Sequence, residues 1–231
     1  MEAQTSSPKK TARIAGLWYL LLVIVGIYGL KFVQSQIIVE GNSVATTNNI
    51  VAHEFIFRTG IFSNIIGNII FIFLVLALHR LLKPVNEHWA KLMVVLVLVQ
   101  IPVSFVIELF NYTSLMISKG EVLKSLSAIQ KQDFAALFLT IHNYGLAFLE
   151  IFWGIWLIPL GLLVFWSGFI PRLIGVLLIL GGAAYMADSF AFLLLPGADL
   201  FVSKFIIIAS LGEIAIMLWL LIFGVKVKQA Q

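Results

Sequence analysis

Four acidic residues lie inside stretches of sequence that are otherwise strongly apolar. They are Glu108, Glu150, Asp188 and Glu213. A carboxylate in hydrocarbon is costly, so it usually faces protein or water and often has a functional role. Four bare carboxylates cannot all stay charged at low dielectric, so we expect them to be protonated, paired with a base, hydrated or holding a cation. The chemistry that this predicts is the binding of a cation or a proton.

Other polar residues lie at a similar depth in their apolar runs. Heights are counted at about 1.5 Å per residue from the basic residues at one set of helix ends, and for the fourth run from Trp166. Every run then carries a polar group about 18–27 Å along its axis. Helical spacing also places Gln100, Ser104, Glu108 and Asn111 on one face. We therefore predict one polar layer, in which asparagines orient the site and Lys31 balances the charge. Besides the four acids, its members are Asn64, Asn68, Asn111 and Lys31.

His142 shares its apolar run with Glu150 and needs separate treatment. The spacing between the two residues corresponds to about 12 Å along a helix axis, so they cannot both ligate one ion directly. We expect His142 to lie nearer Asn111 and the outer surface. Two roles stay open for it, a hydrogen-bonded histidine without chemistry and a ligand or proton-relay group.

The elements that must position these residues are six apolar runs. Of the 231 residues, 61% are hydrophobic and 11% are charged. About 20 mainly apolar residues suffice for a helix to cross a bilayer, and helices satisfy their own backbone hydrogen bonds in lipid. The predicted fold class is therefore all-α, a polytopic membrane protein with a bundle of six transmembrane helices. The helices are predicted at residues 13–34, 55–82, 89–117, 134–166, 172–194 and 202–225, between a polar basic tail, 1–12, and a short basic tail, 226–231.

The segment between the first two helices is predicted to be the longest polar connection. Gly41 marks a break in it, and Thr47, Asn48 and Asn49 are candidate N-caps for the second helix.

The distribution of basic residues predicts the topology. The positive-inside rule places both termini in the cytoplasm of a multi-pass protein of the cell (inner) membrane, with Trp18 and Tyr19 at the cytoplasmic interface. The N-terminal side carries Lys9, Lys10, Arg13, Arg80, Lys83, Lys91, Arg172, Lys226 and Lys228, and the other side carries Lys31, Arg58, Lys119, Lys124, Lys131 and Lys204.

Several function classes are excluded. The chain has no cysteine, which rules out disulfides, thiolate metal sites and cysteine nucleophiles. It has no phosphate-binding Gly-Lys-Ser loop, no HExxH and no GxSxG. The net charge of +4 resides at helix ends, where it contacts lipid headgroups, so nucleic acid is not an expected partner. No cofactor is evident beyond a bound cation, and the expected partners are the lipid bilayer and a small solute or ion.

Three functions fit these residues. The first is cation- or proton-linked binding or transport of a small solute at the acid layer. The second is an intramembrane enzyme acting on a lipid or lipid-linked substrate, with His142 as an acid–base group or metal ligand beside Asn111, Glu108 or Asp188. The third is a structural subunit whose acids pair with basic groups of another chain. Whether the protein is an enzyme stays open at this point.

Five motifs resemble a known family. They are KKTARIAGLWYLL, FRTG, LHRLLKPVN, FLTIHNYGL and SGFIPRLIGVLLILGGAAYMADSF. Together they resemble the bacterial domain-of-unknown-function family four-three-eight-six over nearly the whole chain. The resemblance implies a six-helix protein of the bacterial inner membrane, and it carries over no substrate, reaction or catalytic residue.

Overall fold

The computed structural model describes residues 7–195 and 206–225, and every regular element within them is helical. The all-α prediction is therefore confirmed for this part of the chain. In chain order the elements are α1 Pro8–Ile27, a π-helical turn Tyr28–Phe32, α2 Val33–Ile37, α3 Ser43–Ala52, α4 Glu54–Leu82, α5 Glu87–Ser118, α6 Ala128–Ser167, α7 Arg172–Leu194 and α8 Ile206–Ile222.

Five helices are long and apolar enough to cross a membrane. They are the continuous helix Pro8–Ile37 and the helices α4, α5, α6 and α7. Large apolar side chains such as Phe55, Ile129 and Leu194 are exposed, which suits a surface that faces lipid rather than water. The predicted sixth helix starts at residue 202, outside the described residues, and its described part is the shorter helix α8.

The first helix begins earlier than the sequence analysis predicted. It starts at Pro8 rather than Arg13, so part of the predicted tail is helical. The Ser7 carbonyl accepts the amide hydrogens of Lys10 and Thr11, and Ser7 Oγ lies 3.4 Å from the Lys10 nitrogen. Serine before proline is a favourable helix start, because proline lacks the amide hydrogen that would be unsatisfied there.

The segment predicted as the longest polar connection contains a helix, α3. Asn42 caps it, its side-chain oxygen accepting the Ala45 amide at 2.8 Å. Thr47, Asn48 and Asn49 lie inside this helix, so their predicted role as caps of the next helix was wrong. The break at Gly41 is present, with a positive φ of 71° that glycine adopts without strain.

The chain divides into two compact units. Unit 1 comprises residues 1–21, 70–100 and 147–231, and unit 2 comprises residues 22–69 and 101–146. Helices α1, α4, α5 and α6 each contribute residues to both units.

Within unit 2, an apolar cluster joins α2, α3, α4, α5 and α6. Its buried members are Val33, Ile37, Ile50, Phe57, Ile61, Leu115 and Leu139. Gly60 lets α2 approach α4 closely, because a Cβ there would come 2.7 Å from Val33 Cγ1. Burial of such side chains holds these helices around the polar residues that lie next to the cluster on α4, α5 and α6.

Within unit 1, α6 packs against α7 through paired glycines. A Cβ on Gly161 would come 2.7 Å from the Gly175 carbonyl oxygen, and a Cβ on Gly182 would come 2.6 Å from that of Gly154. The buried Trp156 on α6 meets Phe71 on α4 edge to face, with ring centroids 4.9 Å apart. The α6–α7 pair thus forms a close backbone contact of the kind that small residues allow in membranes.

Candidate functional site

Unit 2 contains a buried polar centre built from three helices. Asn64 comes from α4, Glu108 and Asn111 from α5, and His142 from α6. Asn64 Nδ2 donates to Glu108 Oε1 at 2.9 Å, and Asn111 Nδ2 lies 3.4 Å from Glu108 Oε2. His142 Nε2 lies 2.9 Å from Asn111 Nδ2 and 3.3 Å from Glu108 Oε1. The structure therefore brings four of the predicted site residues into direct contact.

The burial of this centre follows from the helical pattern. Gln100, Ser104, Glu108 and Asn111 are all buried, as the spacing on α5 predicted. His142 has 0% and Glu108 5% of its surface exposed. A charge in such surroundings interacts more strongly with its neighbours than it would in water, since the local dielectric is low.

The contacts of His142 fit the tautomer with its hydrogen on Nδ1. This nitrogen lies 3.2 Å from Asn143 Oδ1, which can only accept, so the contact is a hydrogen bond when Nδ1 carries the hydrogen. In a neutral imidazole Nε2 then has a lone pair, which accepts a hydrogen from Asn111 Nδ2. A lone pair facing the Glu108 carboxylate at 3.3 Å is unfavourable. The contact is attractive only when one proton lies on Glu108 or on Nε2.

The π-helical turn reaches this centre through Gly29, which the sequence analysis did not identify. Gly29 is buried, and a Cβ added to it would collide with Asn64 Oδ1. Tyr28 in the same turn shares a hydrogen bond of 2.7 Å with Thr59 on α4. Single π-helical turns inside α-helices are frequent at functional sites. The Gly-Ile-Tyr-Gly sequence at residues 26–29 was the available signal for this turn.

Two further members of the predicted layer lie in unit 2. Asn68 donates to the Asn64 backbone carbonyl at 2.9 Å, one turn away on the same helix. Lys31 is exposed, and it forms no ion pair with an acid among the described residues. The contacts therefore give no support to a charge-balancing role for Lys31, and His142 is the basic group that touches Glu108.

Unit 1 contains a second carboxyl with hydrogen-bond partners, that of the half-buried Glu213 on α8. Tyr19 OH donates to Glu213 Oε2 at 2.9 Å, and Tyr185 OH donates to Oε1 at 3.3 Å. Tyr19 is 1% exposed, so its ring packs inside the protein. Its phenol supplies a hydrogen-bond donor to the Glu213 carboxyl.

The other two predicted acids also belong to unit 1. Glu150 is close enough to Tyr185 for its charge to act on the phenol. Asp188 is half-buried, and its Oδ1 has no hydrogen-bond partner among the described residues. The acids thus fall into groups within the two units, and the single polar layer and the roles of its members stay predictions.

An ion-pair network lies where α4 begins and α5 ends. Arg58 Nε contacts Glu54 Oε1 at 2.7 Å, and Lys119 Nζ contacts Glu54 and Glu121 at 2.9 and 2.7 Å. Hydrogen bonds to Glu121 and then to Glu54 raise the pKa of Lys119. These groups are exposed or partly so, and exposed pairs stabilise little, so the network marks a helix boundary rather than a reaction centre.

The buried centre brings a carboxyl and an imidazole into contact. Among the described residues, no group of three or more His, Asp or Glu side chains could hold a metal ion. The described residues therefore give no support to the hypothesis of a metal-dependent enzyme. Glu108 and Glu213 each accept hydrogen bonds from residues of their own unit. Neither acid therefore requires a basic group from a second chain.

The helices and the buried centre define an all-helical protein with spans of membrane-crossing length. A family model described as "Domain of unknown function (DUF4386)" matches residues 14–224, so the chain belongs to this family and the resemblance seen in the sequence is confirmed. No curated protein and no solved structure matches the chain.

Proposed function

We propose that the protein crosses the bacterial inner membrane six times with both termini in the cytoplasm and binds a proton at the Glu108–His142 pair. Proton binding at this pair, or exchange of the proton for a cation, would be linked to the binding or transport of a small solute. The sixth span would include α8, and the basic residues at the helix ends would set the orientation.

One observation carries the proposal, the 3.3 Å contact between His142 Nε2 and Glu108 Oε1 inside an apolar helical unit. A carboxyl and an imidazole in contact and away from water form a site whose net charge depends on one proton. Intramembrane acids and histidines of this kind are typical of proton relays in transporters. Hydrogen bonds from Asn64 and Asn111 fix the carboxyl, so the pair is positioned before any ligand arrives.

The experiment is thermal unfolding of the detergent-purified protein from about pH 5 to about pH 9, the range in which histidines titrate. Sodium, potassium, magnesium and calcium chlorides are added in turn, with choline chloride as the ionic-strength control. The variants are Glu108→Gln and His142→Gln, matched by Glu40→Gln and His53→Gln, whose side chains are exposed.

We expect the wild type and the two exposed controls to respond to pH or to one cation. A cation at about 100 times its Kd would stabilise the folded state by about 2.7 kcal/mol. Both variants of the pair should lose that response. If Glu108→Gln and His142→Gln respond as the wild type does, the pair is not the binding site and the proposal is wrong.

Transport is tested separately in liposomes that contain a pH-sensitive dye. The wild type should dissipate an imposed pH gradient faster than Glu108→Gln does, because the variant cannot carry the proton at that position. If the pH gradient dissipates equally fast with both proteins, the transport part of the proposal is wrong, while proton binding at the pair is not affected by this result.

A further inference from the structure

The side chain of Asn111 carries an acceptor without a donor. The residue is 2% exposed, and both of its hydrogen-bond contacts are made by Nδ2, with His142 Nε2 at 2.9 Å and with Glu108 Oε2 at 3.4 Å. Its Oδ1 is buried and has no hydrogen-bond partner among the described residues. A buried carbonyl without a donor loses its hydration and gains nothing in return, so this orientation needs a reason.

The reason lies in the proton state of His142. With the hydrogen of the imidazole on Nδ1, the lone pair of Nε2 requires a donor, and Asn111 Nδ2 supplies it. Because Nδ2 is turned toward the histidine, Oδ1 is left without a hydrogen-bond donor. The observed orientation therefore fits an Nε2 that carries no proton.

A proton on Nε2 reverses this preference. The new N–H can donate to Glu108 Oε1, but it would face the N–H of Asn111 at 2.9 Å. Rotation of the amide about its Cβ–Cγ bond exchanges Nδ2 with Oδ1. Oδ1 then accepts from Nε2–H, Nδ2 moves into the buried position that Oδ1 held, and the long contact to Glu108 Oε2 is lost.

We propose that the side-chain amide of Asn111 rotates, exchanging Nδ2 and Oδ1, when His142 gains or loses the proton on Nε2. Asn111 is then a positioning residue whose orientation differs between the two proton states. The inference rests on the proposed proton binding at the Glu108–His142 pair. The rotation of the Asn111 amide makes and breaks no covalent bond. The single proton that His142 gains at Nε2 comes from solvent or from the Glu108 carboxyl.

In the described part of unit 2, Glu108 is the charged group that most directly affects the protonation of His142. Glu108 on α5 contacts the imidazole directly, and α4 presents the neutral Asn64 to that carboxyl. Lys31 on the π-helical turn is exposed. Arg58 and Lys119 are engaged with Glu54 in the network at the helix boundary.

The test is nuclear magnetic resonance of the full-length protein in detergent, labelled with ¹⁵N at histidine and asparagine side chains. His142→Gln and Asn111→Leu assign the two sets of signals. In the wild type, the Asn111 amide signals should shift with pH at the same midpoint as the imidazole of His142. Below that midpoint, His142 should carry hydrogens on both nitrogens, and above it on Nδ1 alone.

Asn111→Leu adds a readout that a purely structural role would not move. Without the donor at Nε2, neutral His142 should have a weaker preference for the Nδ1–H tautomer, because only Asn143 Oδ1 then favours it. The ¹⁵N shifts report this change directly. Asn68→Leu is the matched control, because the Asn68 amide bonds to the Asn64 carbonyl and not to His142. The control should keep the wild-type tautomer.

The outcomes separate this inference from the proposed function. If His142 titrates and the Asn111 signals stay constant, the rotation is wrong while proton binding stands. If His142 does not titrate between about pH 5 and about pH 9, the proposed proton site itself fails. A water or ammonium ion held on Asn111 Oδ1 in both proton states would also overturn the rotation, because the acceptor would then be satisfied without it.

Discussion

His142 Nε2 and Glu108 Oε1 are 3.3 Å apart, and their side chains are 1% and 6% exposed. The two residues come from different helices, α6 and α5, so tertiary packing alone holds them together. An imidazole and a carboxyl at this distance cannot be considered separately, since protonation of either one changes the charge that the other experiences. Three of the four predictions below concern the structure around this pair or around the carboxyl of Glu213, and the fourth concerns the orientation of the helices.

Glu108→Gln should be tolerated and Glu108→Ala should not. Glutamine keeps a carbonyl oxygen for the Asn64 amide and removes a buried charge, a change that is often neutral or stabilising. Alanine leaves the Asn64 donor without its partner, at about 1–3 kcal/mol. Thermal melting at neutral pH measures the difference, with Glu40→Gln and Glu40→Ala as the exposed control pair. Equal melting temperatures for the two Glu108 variants would mean that its hydrogen bonds do not hold the centre.

Gly29→Ala should disturb the polar centre through the contact of the π-helical turn with Asn64. The new methyl group would collide with Asn64 Oδ1 and push this amide away from Glu108, with a loss of about 1–3 kcal/mol for the displaced hydrogen bond. Gly26→Ala is the control, because a Cβ there meets nothing within 4 Å. Alanine favours a helix over glycine by about 1 kcal/mol, so the control should be neutral or more stable. Similar losses for both variants would indicate a general effect of the turn and not a contact with Asn64.

Tyr19→Phe should destabilise unit 1 through Glu213. The phenol donates to Glu213 Oε2 at 2.9 Å, and a typical hydrogen bond contributes about 0.5–1.5 kcal/mol. A double-mutant cycle with Glu213→Gln isolates this pair. We expect Tyr19→Phe to cost clearly less in the Glu213→Gln background when free energies of unfolding are compared. Additive effects of the two changes would show that the hydrogen bond contributes nothing measurable.

Labelling of single cysteines should reveal the orientation of the helices. The chain has no cysteine of its own, so each introduced thiol is the only one that reacts. In intact cells, a maleimide that cannot cross the membrane should label Glu40→Cys and Ser125→Cys but not Pro84→Cys. All three positions are exposed, so burial does not interfere with the comparison. Labelling of Pro84→Cys alone would reverse the topology that the basic residues predict.

Much of the fold could be predicted from the sequence, because in a membrane the hydrophobic pattern determines where helices lie. α7 coincides with its predicted range at residues 172–194, and α4 and α5 begin and end within two residues of theirs. The misses have local causes. Serine followed by proline starts α1 early, and Asn42 caps a helix in a segment whose polar composition had indicated a loop.

The sequence alone determined which polar residues would be buried on α5, since a helical period of 3.6 places Glu108 and Asn111 on one face. Tertiary structure decided their partners. His142 meets Glu108 because α5 and α6 pack side by side, and Tyr19 meets Glu213 across 194 positions of the chain. Helical periodicity specifies the direction of a side chain but not the neighbouring helix that it faces. For this reason the pairing of acid with histidine and of acid with phenol becomes visible only when the helices are assembled.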